Sequence, residues 1–260
     1  MKRGLLLVLF LTLSLAGGAQ AGGFNLAWDQ CWPEGGVASK CFACDTNSGF
    51  HALVGSFALD EPLADFTALS AIVDGQTVSG DVPPWWQMFN PGSCRSAALS
   101  VSFDFLESPN TSCVDSWQGL ATGGIAAYQT ALFRPPAPIN APAPNRLRIK
   151  LSGLLTDPVT VQEGVEHYAF RLHIRNLKTT GTGACAGCGV GLCLVLQEMR
   201  FNCAGDPSNW RGLWWALENA GVGWQSADYW GYEWPSCEAH PHCPVAARNQ
   251  TWGSLKALYR

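Results

Sequence analysis

Apolar and polar residues alternate along much of the chain, most clearly where Tyr168, Phe170, Leu172 and Ile174 are set against Ala169, Arg171, His173 and Arg175. A period of two marks a strand with one buried and one wetted face. The turn residues Thr179-Thr180-Gly181-Thr182-Gly183 follow, then Cys185, Cys188 and Cys193, and an apolar run from Leu192 to Leu196 continues to Phe201. This stretch predicts a β-hairpin whose connection is pinned by at least one disulfide. The same period predicts strands over His51–Leu59, with Leu53, Gly55, Phe57 and Leu59 on one face, and over Phe66–Val78, with Leu69, Ala71 and Val73 inside. It predicts three more: Ala97–Leu106 (Leu99, Val101, Phe103 and Phe105 together), Ile125–Phe133, and Asn145–Ser152 with Leu147, Ile149 and Leu151 inside.

The punctuation fits that reading. Asp45-Thr46-Asn47-Ser48-Gly49 is a turn signal, because Asp, Asn and Gly accept tight-turn dihedrals. Arg134 to Pro144 holds five prolines and cannot be regular structure, since proline donates no backbone hydrogen bond; it reads equally as a separator between domains or as a long surface crossover of one sandwich. Residues 204–245 carry a crowd of tryptophans among glycines and polar side chains and read as a loop region. Residues 249–260 predict a short C-terminal helix with Thr251 as N-cap and Lys256 and Arg260 against its dipole. Short strands between turn signals, with little helical period, predict an all-β, disulfide-stabilised β-sandwich of jelly-roll-like type, forming one domain over 22–248.

The first 21 residues stand apart. Lys2 and Arg3, the apolar Leu5–Leu15 and the small-residue Ala19-Gln20-Ala21 read as a signal peptide, with the exported chain beginning at Gly22. The apolar run is too short for a membrane span and no later segment approaches one, so the product is expected to be secreted or held at the cell surface without a transmembrane span. Taking Lys2 and Arg3 from 16 basic residues leaves 14 against 20 acidic ones, a balance that argues against nucleic acid as a partner. About 240 residues remain, enough for one all-β domain with its own core.

All 11 cysteines lie after the leader: 31, 41, 44, 94, 113, 185, 188, 193, 203, 237 and 243. Behind a signal peptide they read as disulfides, with Cys31, Cys44, Cys94, Cys113, Cys185, Cys188 and Cys193 as candidates. Proximity suggests Cys31–Cys44 and Cys94–Cys113 as local pairs, while spacing leaves the connectivity among Cys185, Cys188, Cys193 and Cys203 open. An odd count leaves at least one cysteine free or bound to another chain.

Several of these segments carry a resemblance. Asn25-Leu26-Ala27-Trp28-Asp29 with Cys31, Phe42-Ala43-Cys44-Asp45-Thr46-Asn47, Leu53-Val54-Gly55-Ser56-Phe57, Cys185-Ala186-Gly187-Cys188 and the ending Thr251-Trp252-Gly253 to Tyr259-Arg260 are similar to those of a group of uncharacterised exported bacterial proteins. The resemblance implies export and no particular activity. Cys41, Cys203 and the His-bearing segment near the C-terminus depart from the shared pattern.

Candidate chemistry centres on the indoles. Trp85-Trp86 and the run from Trp210 to Trp234 supply flat aromatic faces on which sugar rings stack, making Trp85, Trp86, Trp214, Trp215 and Trp230 the ligand-binding candidates and a polysaccharide or cell-surface component the candidate partner. Burial of the same rings in the core is the competing use. If Trp85-Trp86 or Trp214-Trp215 is extended, one member of each pair points outward. Cys237-x-x-His240-x-His242-Cys243 has metal-ligand types, with His240 and His242 as weak candidates, but a disulfide with two displayed histidines explains it equally. Arg146, Arg148 and Lys150, and Arg171, His173 and Arg175, form two basic stripes that would merge if their strands were neighbours. Asp29, Asp45 and Asn47 offer calcium-type oxygens, although turn chemistry accounts for the last two. There is no G-x-S-x-G elbow, H-E-x-x-H pair or phosphate-binding glycine loop, and no cofactor is implied. The chain therefore reads as a non-catalytic binding or surface protein. A glycan-active or metal-dependent enzyme, or a purely structural envelope protein, are the rivals.

Overall fold

The alternation closes into two facing sheets. In the computed structural model, which describes residues 22–78, 80–88, 91–130, 144–204, 210–225, 227–230 and 236–239, the chain is almost wholly β. The leader segment 1–21, most of the proline-rich stretch and the 249–260 helix lie outside the described residues. In chain order the first strands are β1 (Gly23–Trp28), β2 (Ser39–Lys40), β3 (Phe50–Ala58), β4 (Leu63–Thr77) and β5 (Leu99–Ser102). There follow β6 (Cys113–Asp115), β7 (Ala121–Thr130), β8 (Arg146–Val161), β9 (Glu166–Arg175) and β10 (Leu192–Cys203). The region read as loop contains four short strands: β11 (Trp210–Leu213), β12 (Gly221–Trp224), β13 (Ala227–Trp230) and β14 (Ser236–Ala239).

One sheet runs β1-β3-β9-β5, with β6 also on β9; the other runs β2-β12-β10-β4-β8-β7, with β11 on β10; β13 and β14 pair separately. The chain crosses between sheets from β3 to β4 and back from β8 to β9. Because β3 pairs with β9 and β4 with β8, a two-stranded ribbon wraps across both sheets, the wind of a jelly roll. The free edge of β1 is covered by 215–219, where the Phe24 and Leu26 amides donate to the Trp215 and Asn219 carbonyls.

This topology corrects the hairpin reading. Strands β9 and β10 lie in different sheets, so 176–191 is a crossover between layers. Local alternation reports that a strand has a buried face but not which sheet it joins. The inward positions named above at β4, β8 and β3 are buried, including Leu69, Val73, Leu147, Ile149, Leu53 and Phe57. Two departures have local causes. The β3–β9 register skips between Gly55 and Ser56, so Tyr168 falls opposite Ser56 on the outer face while Phe170 stays inward. The Phe170 ring lies across Gly55, where a Cβ would sit 2.3 Å from it. Strand β5 stops at Ser102 because Phe103 leaves the ladder to pack over Gly124 and Gly153, whose missing Cβ atoms would fall 1.9 and 2.8 Å from its ring.

Two aromatic clusters fill the space between the sheets. Phe57 and Phe66 meet Phe201, and Trp117 meets Phe66 and Phe103. Elsewhere Trp224 contacts Trp28, Trp85, Trp86 and His51, stacking on Trp85 with centroids 5.2 Å apart. The Arg95 guanidinium lies 3.7 Å from the Trp85 ring centre and donates to the carbonyls of Trp85, Leu177 and Arg175. His51, held between Phe42 and Trp224, is buried.

The disulfides differ from the local pairs expected from proximity. They are Cys31–Cys113, Cys44–Cys188 and Cys94–Cys185, separated in sequence by 82, 144 and 91 residues. The sandwich brings these distant segments within Cα–Cα distances of 6.0–6.5 Å, inside the range a disulfide spans. Cys185 and Cys188 thus clamp one crossover to two separate segments. Cys41 and Cys193 are also disulfide-bonded. Cys203 is a free thiol, and burial followed by Asp65 pushes its pKa up. Disulfides on this scale place the folded chain in an oxidising compartment.

Peptide mapping of unreduced protein will recover Cys31–Cys113, Cys44–Cys188 and Cys94–Cys185 and none of the local pairs. Replacing Cys44 and Cys188 together with Ser will cost roughly 3–5 kcal/mol in denaturant unfolding, because the closed loop is long. A second outcome concerns acid. Burial, assisted by Lys40, pushes His51 from 6.5 down to about 4. The unfolded chain therefore binds the proton first, and the stability His51 contributes is complete above pH 6.5 and lost as pH falls toward 4. That loss is roughly 2 kcal/mol. Unfolding between pH 7 and pH 4 will show it, and His51→Gln will flatten the profile without abolishing it, because burial lowers His167 and His173 too.

Candidate ligand-binding surface

Strand β11 pairs with the end of β10, matching Trp210 to Asn202, Gly212 to Arg200 and Leu213 to Met199. Leu213 and Met199 are buried and anchor the pairing, which turns Trp210 and Gly212 to the outer face. Trp210, Trp214 and Trp215 are 44%, 49% and 53% exposed, far above the other described indoles of the core. Trp210 and Trp214 meet edge to face at 5.9 Å and 79°, and Trp214 and Trp215 at 6.4 Å and 50°. The cluster is therefore an angular wall rather than a flat platform.

Gly212 makes it possible. A Cβ there would sit 2.4 Å from the Trp214 ring and 3.0 Å from Trp210, so both indoles close over bare backbone. Arg200 places its guanidinium 4.8 Å from the Trp210 ring centre while paired with Glu198. The Trp215 indole N–H donates to the Gly22 carbonyl, and the Leu217 amide donates to Phe24 across 2.9 Å. The wall is thus held by both sheets, on backbone that is hydrogen-bonded on each side.

The other candidates are placed elsewhere. Trp85 and Trp86 are fully buried and form no surface platform. The expectation that one would lean outward assumed an extended backbone, but Pro84–Trp86 is a 3₁₀ turn, and both rings enter the core. Trp230 lies in β13, and His240 and His242 lie outside the described residues. The two basic stripes do not merge, because β8 and β9 belong to different sheets. Arg148 is held by both carboxylate oxygens of Asp74 at 2.6 and 2.7 Å, and Arg171 donates to Ser108 and lies over Phe105. Asn47 Oδ1 accepts the Thr179 and Thr180 amides, which leaves it committed to the turn, while Asp29 pairs with Lys40.

Sequence reasoning passed over one polar cluster. Glu34 Oε1 accepts the amides of Thr111, Ser112 and Cys113 at 2.8–3.1 Å, and Oε2 accepts the Tyr168 hydroxyl. Partial burial opposes ionisation, but these donors, Tyr168 foremost, outweigh it and hold Glu34 at about 2. Glu166 accepts Asn25 at 2.8 Å and Ser56 at 2.5 Å, and burial raises its pKa. One depressed and one raised carboxyl are the kind of pair that acid–base chemistry uses. Here both are consumed by loop-holding bonds: Glu34 caps the 110s loop, and Glu166 ties β9 to β1 and β3. Cys31 and Cys113, which sit close to Glu166, are joined as a disulfide and offer no thiolate to a metal.

The chain matches no protein-family model and no curated protein.

The two tryptophan sets differ in what they do for the fold. Trp85→Ala will cost about 3–5 kcal/mol in denaturant unfolding, as expected for a large cavity under Arg95. Trp214→Ala will change stability by less than about 1 kcal/mol, as expected for a half-exposed ring.

Proposed function

We propose that this chain is an exported, non-catalytic binding protein that engages glycan at or near a cell surface through Trp210, Trp214 and Trp215. The observation that carries the reading is the exposure of three contacting indoles on rigid backbone, with Gly212 clearing the space beneath them. Large exposed aromatic clusters are rare on a protein that works alone, since burial would be more favourable. Indole faces offer C–H/π contact to the flat faces of sugar rings, and the Arg200 guanidinium, with N–H donors beyond those Glu198 takes, offers polar contact at the rim. The leader pattern of residues 1–21 and the disulfides support export. The commitment of Glu34 and Glu166 to structural bonds supports binding over hydrolysis.

A glycan array and polysaccharide pull-down with the protein lacking its leader test this. Retention of at least one glycan is expected, with Trp210→Ala, Trp214→Ala and Trp215→Ala each weakening it by about tenfold at unchanged stability. Retention unaffected by all three substitutions would remove the reading.

A further inference from the structure

Register extends the tryptophan wall into a surface. Gly212 lies opposite Arg200, Arg200 opposite Ser70, Ser70 opposite Ser152, and Ser152 opposite Ile125. These five positions form one row at right angles to five neighbouring strands, about 19 Å long at the usual spacing between strands. All five face outward, because their neighbours in each strand, Leu213, Phe201, Leu69, Leu151 and Ala126, are buried in the core. At the β11 end stand Trp210 and Trp214; at the β7 end stands Ile125, 73% exposed. Between them the side chains are mostly short: glycine and two serines, with Arg200 drawn to Glu198.

We propose, resting on the glycan reading above, that the ligand is a neutral, extended polysaccharide chain lying across the strands along this row, one ring against the Trp210–Trp214 wall and the chain continuing over Ser70 and Ser152 to Ile125. Three observations converge. The row is longer than one sugar ring and matches a chain several rings long. Short hydroxyl side chains leave room for a flat chain and exchange hydrogen bonds with its hydroxyls. Of the cations beside the row, Arg200 is matched by Glu198 and Arg148 by Asp74; Lys150, two residues from Ser152 on β8, is exposed with no ion pair among the described residues, and one lysine does not match a chain that carries a charge on every ring. A ligand recognised only at a chain end would use the wall and ignore the rest of the row.

Calorimetric titration with cello-, chito- and xylo-oligosaccharides of increasing length, with a uronic-acid oligosaccharide as the charged comparison, tests this. For at least one neutral series, affinity will rise by about tenfold or more from disaccharide to hexasaccharide. Ser152→Arg and, separately, Ser70→Arg will lay a long side chain across the row and return the hexasaccharide to disaccharide affinity while leaving the disaccharide unchanged. Both positions are partly exposed on the outer face, and thermal unfolding of each variant confirms that it folds. Equal affinity at all lengths, or a hexasaccharide unaffected by both arginines, overturns the extended row and leaves the tryptophan reading standing. Preference for the uronic-acid chain over every neutral one overturns the neutral assignment. Binding of no sugar at all removes the glycan reading itself.

Discussion

One buried contact holds the loop end of this sandwich together: the Arg95 guanidinium against the Trp85 ring. Among the described residues no carboxylate pairs with Arg95, and a buried guanidinium so placed is costly to desolvate unless fixed acceptors replace water. Here three backbone carbonyls do so, from Trp85, Arg175 and Leu177, while the indole supplies a π face. These carbonyls belong to the 3₁₀ turn, to the last residue of β9 and to the segment just after it. The contact therefore fixes both segments against each other, and neither could be placed by its own local sequence. Trp85 in turn stacks on Trp224, whose indole N–H donates to Cys188, so the same cluster reaches the crossover between the sheets. The Cys94–Cys185 and Cys44–Cys188 bonds tie that same crossover to the segments at Cys94 and Cys44. Packing and cross-links restrain the same few loops, which is how a loop-rich domain keeps a single arrangement.

Much of the framework was readable because burial on one face of a strand writes a period of two into the sequence. Strand β8 shows this at its plainest, with Leu147, Ile149 and Leu151 inside and Lys150 exposed. The errors arose where the decisive partner lies far away in sequence. Nothing local separates a β9–β10 hairpin from two strands in opposite sheets. Cys31 has Cys44 nearby in the chain, yet bonds Cys113 because β6 lies beside β9, where the outer face of the first sheet brings the two sulfurs together. Tyr168 falls on the opposite face from Phe170 because of a register skip that only pairing with β3 reveals.

The tryptophans show the same limit in sharper form. Two tandem pairs, Trp85-Trp86 and Trp214-Trp215, look alike in sequence and have opposite fates. The first follows Val82-Pro83-Pro84, whose fixed dihedrals favour a tight turn that sends both rings inward to Trp224. The second follows Trp210-Arg211-Gly212-Leu213, where strand alternation turns Trp210 and Gly212 outward and the bare glycine lets Trp214 fold back over the strand. The signal that separates them is the Trp-x-Gly-x-Trp spacing on a strand, visible in the sequence but interpretable only once β11 is known to lie on β10.

The location of the exposed surface follows from how unevenly the two sheets are covered. The outer face of the first sheet is occupied: the 3₁₀ turn Trp32–Glu34 is bonded to it through Glu34 and the Cys31–Cys113 bond, and Phe105 stacks on Tyr168. At the β12 end of the second sheet, Ala227 and Val78 pack against Cys193 and close the outer face there. What stays open is the other half of that sheet, from β11 across β10, β4 and β8 to β7. A bare sheet face of this kind favours exposed polar side chains, and Ser70, Ser152 and Lys150 conform. Trp210 and Trp214 at one end and Ile125 at the other do not, and neither does Leu154, two residues from Ser152 on β8. Hydration alone explains the serines and leaves the indoles at an energetic disadvantage, whereas the proposed ligand, spanning the open half, would cover the rings at one end and meet the hydroxyls between.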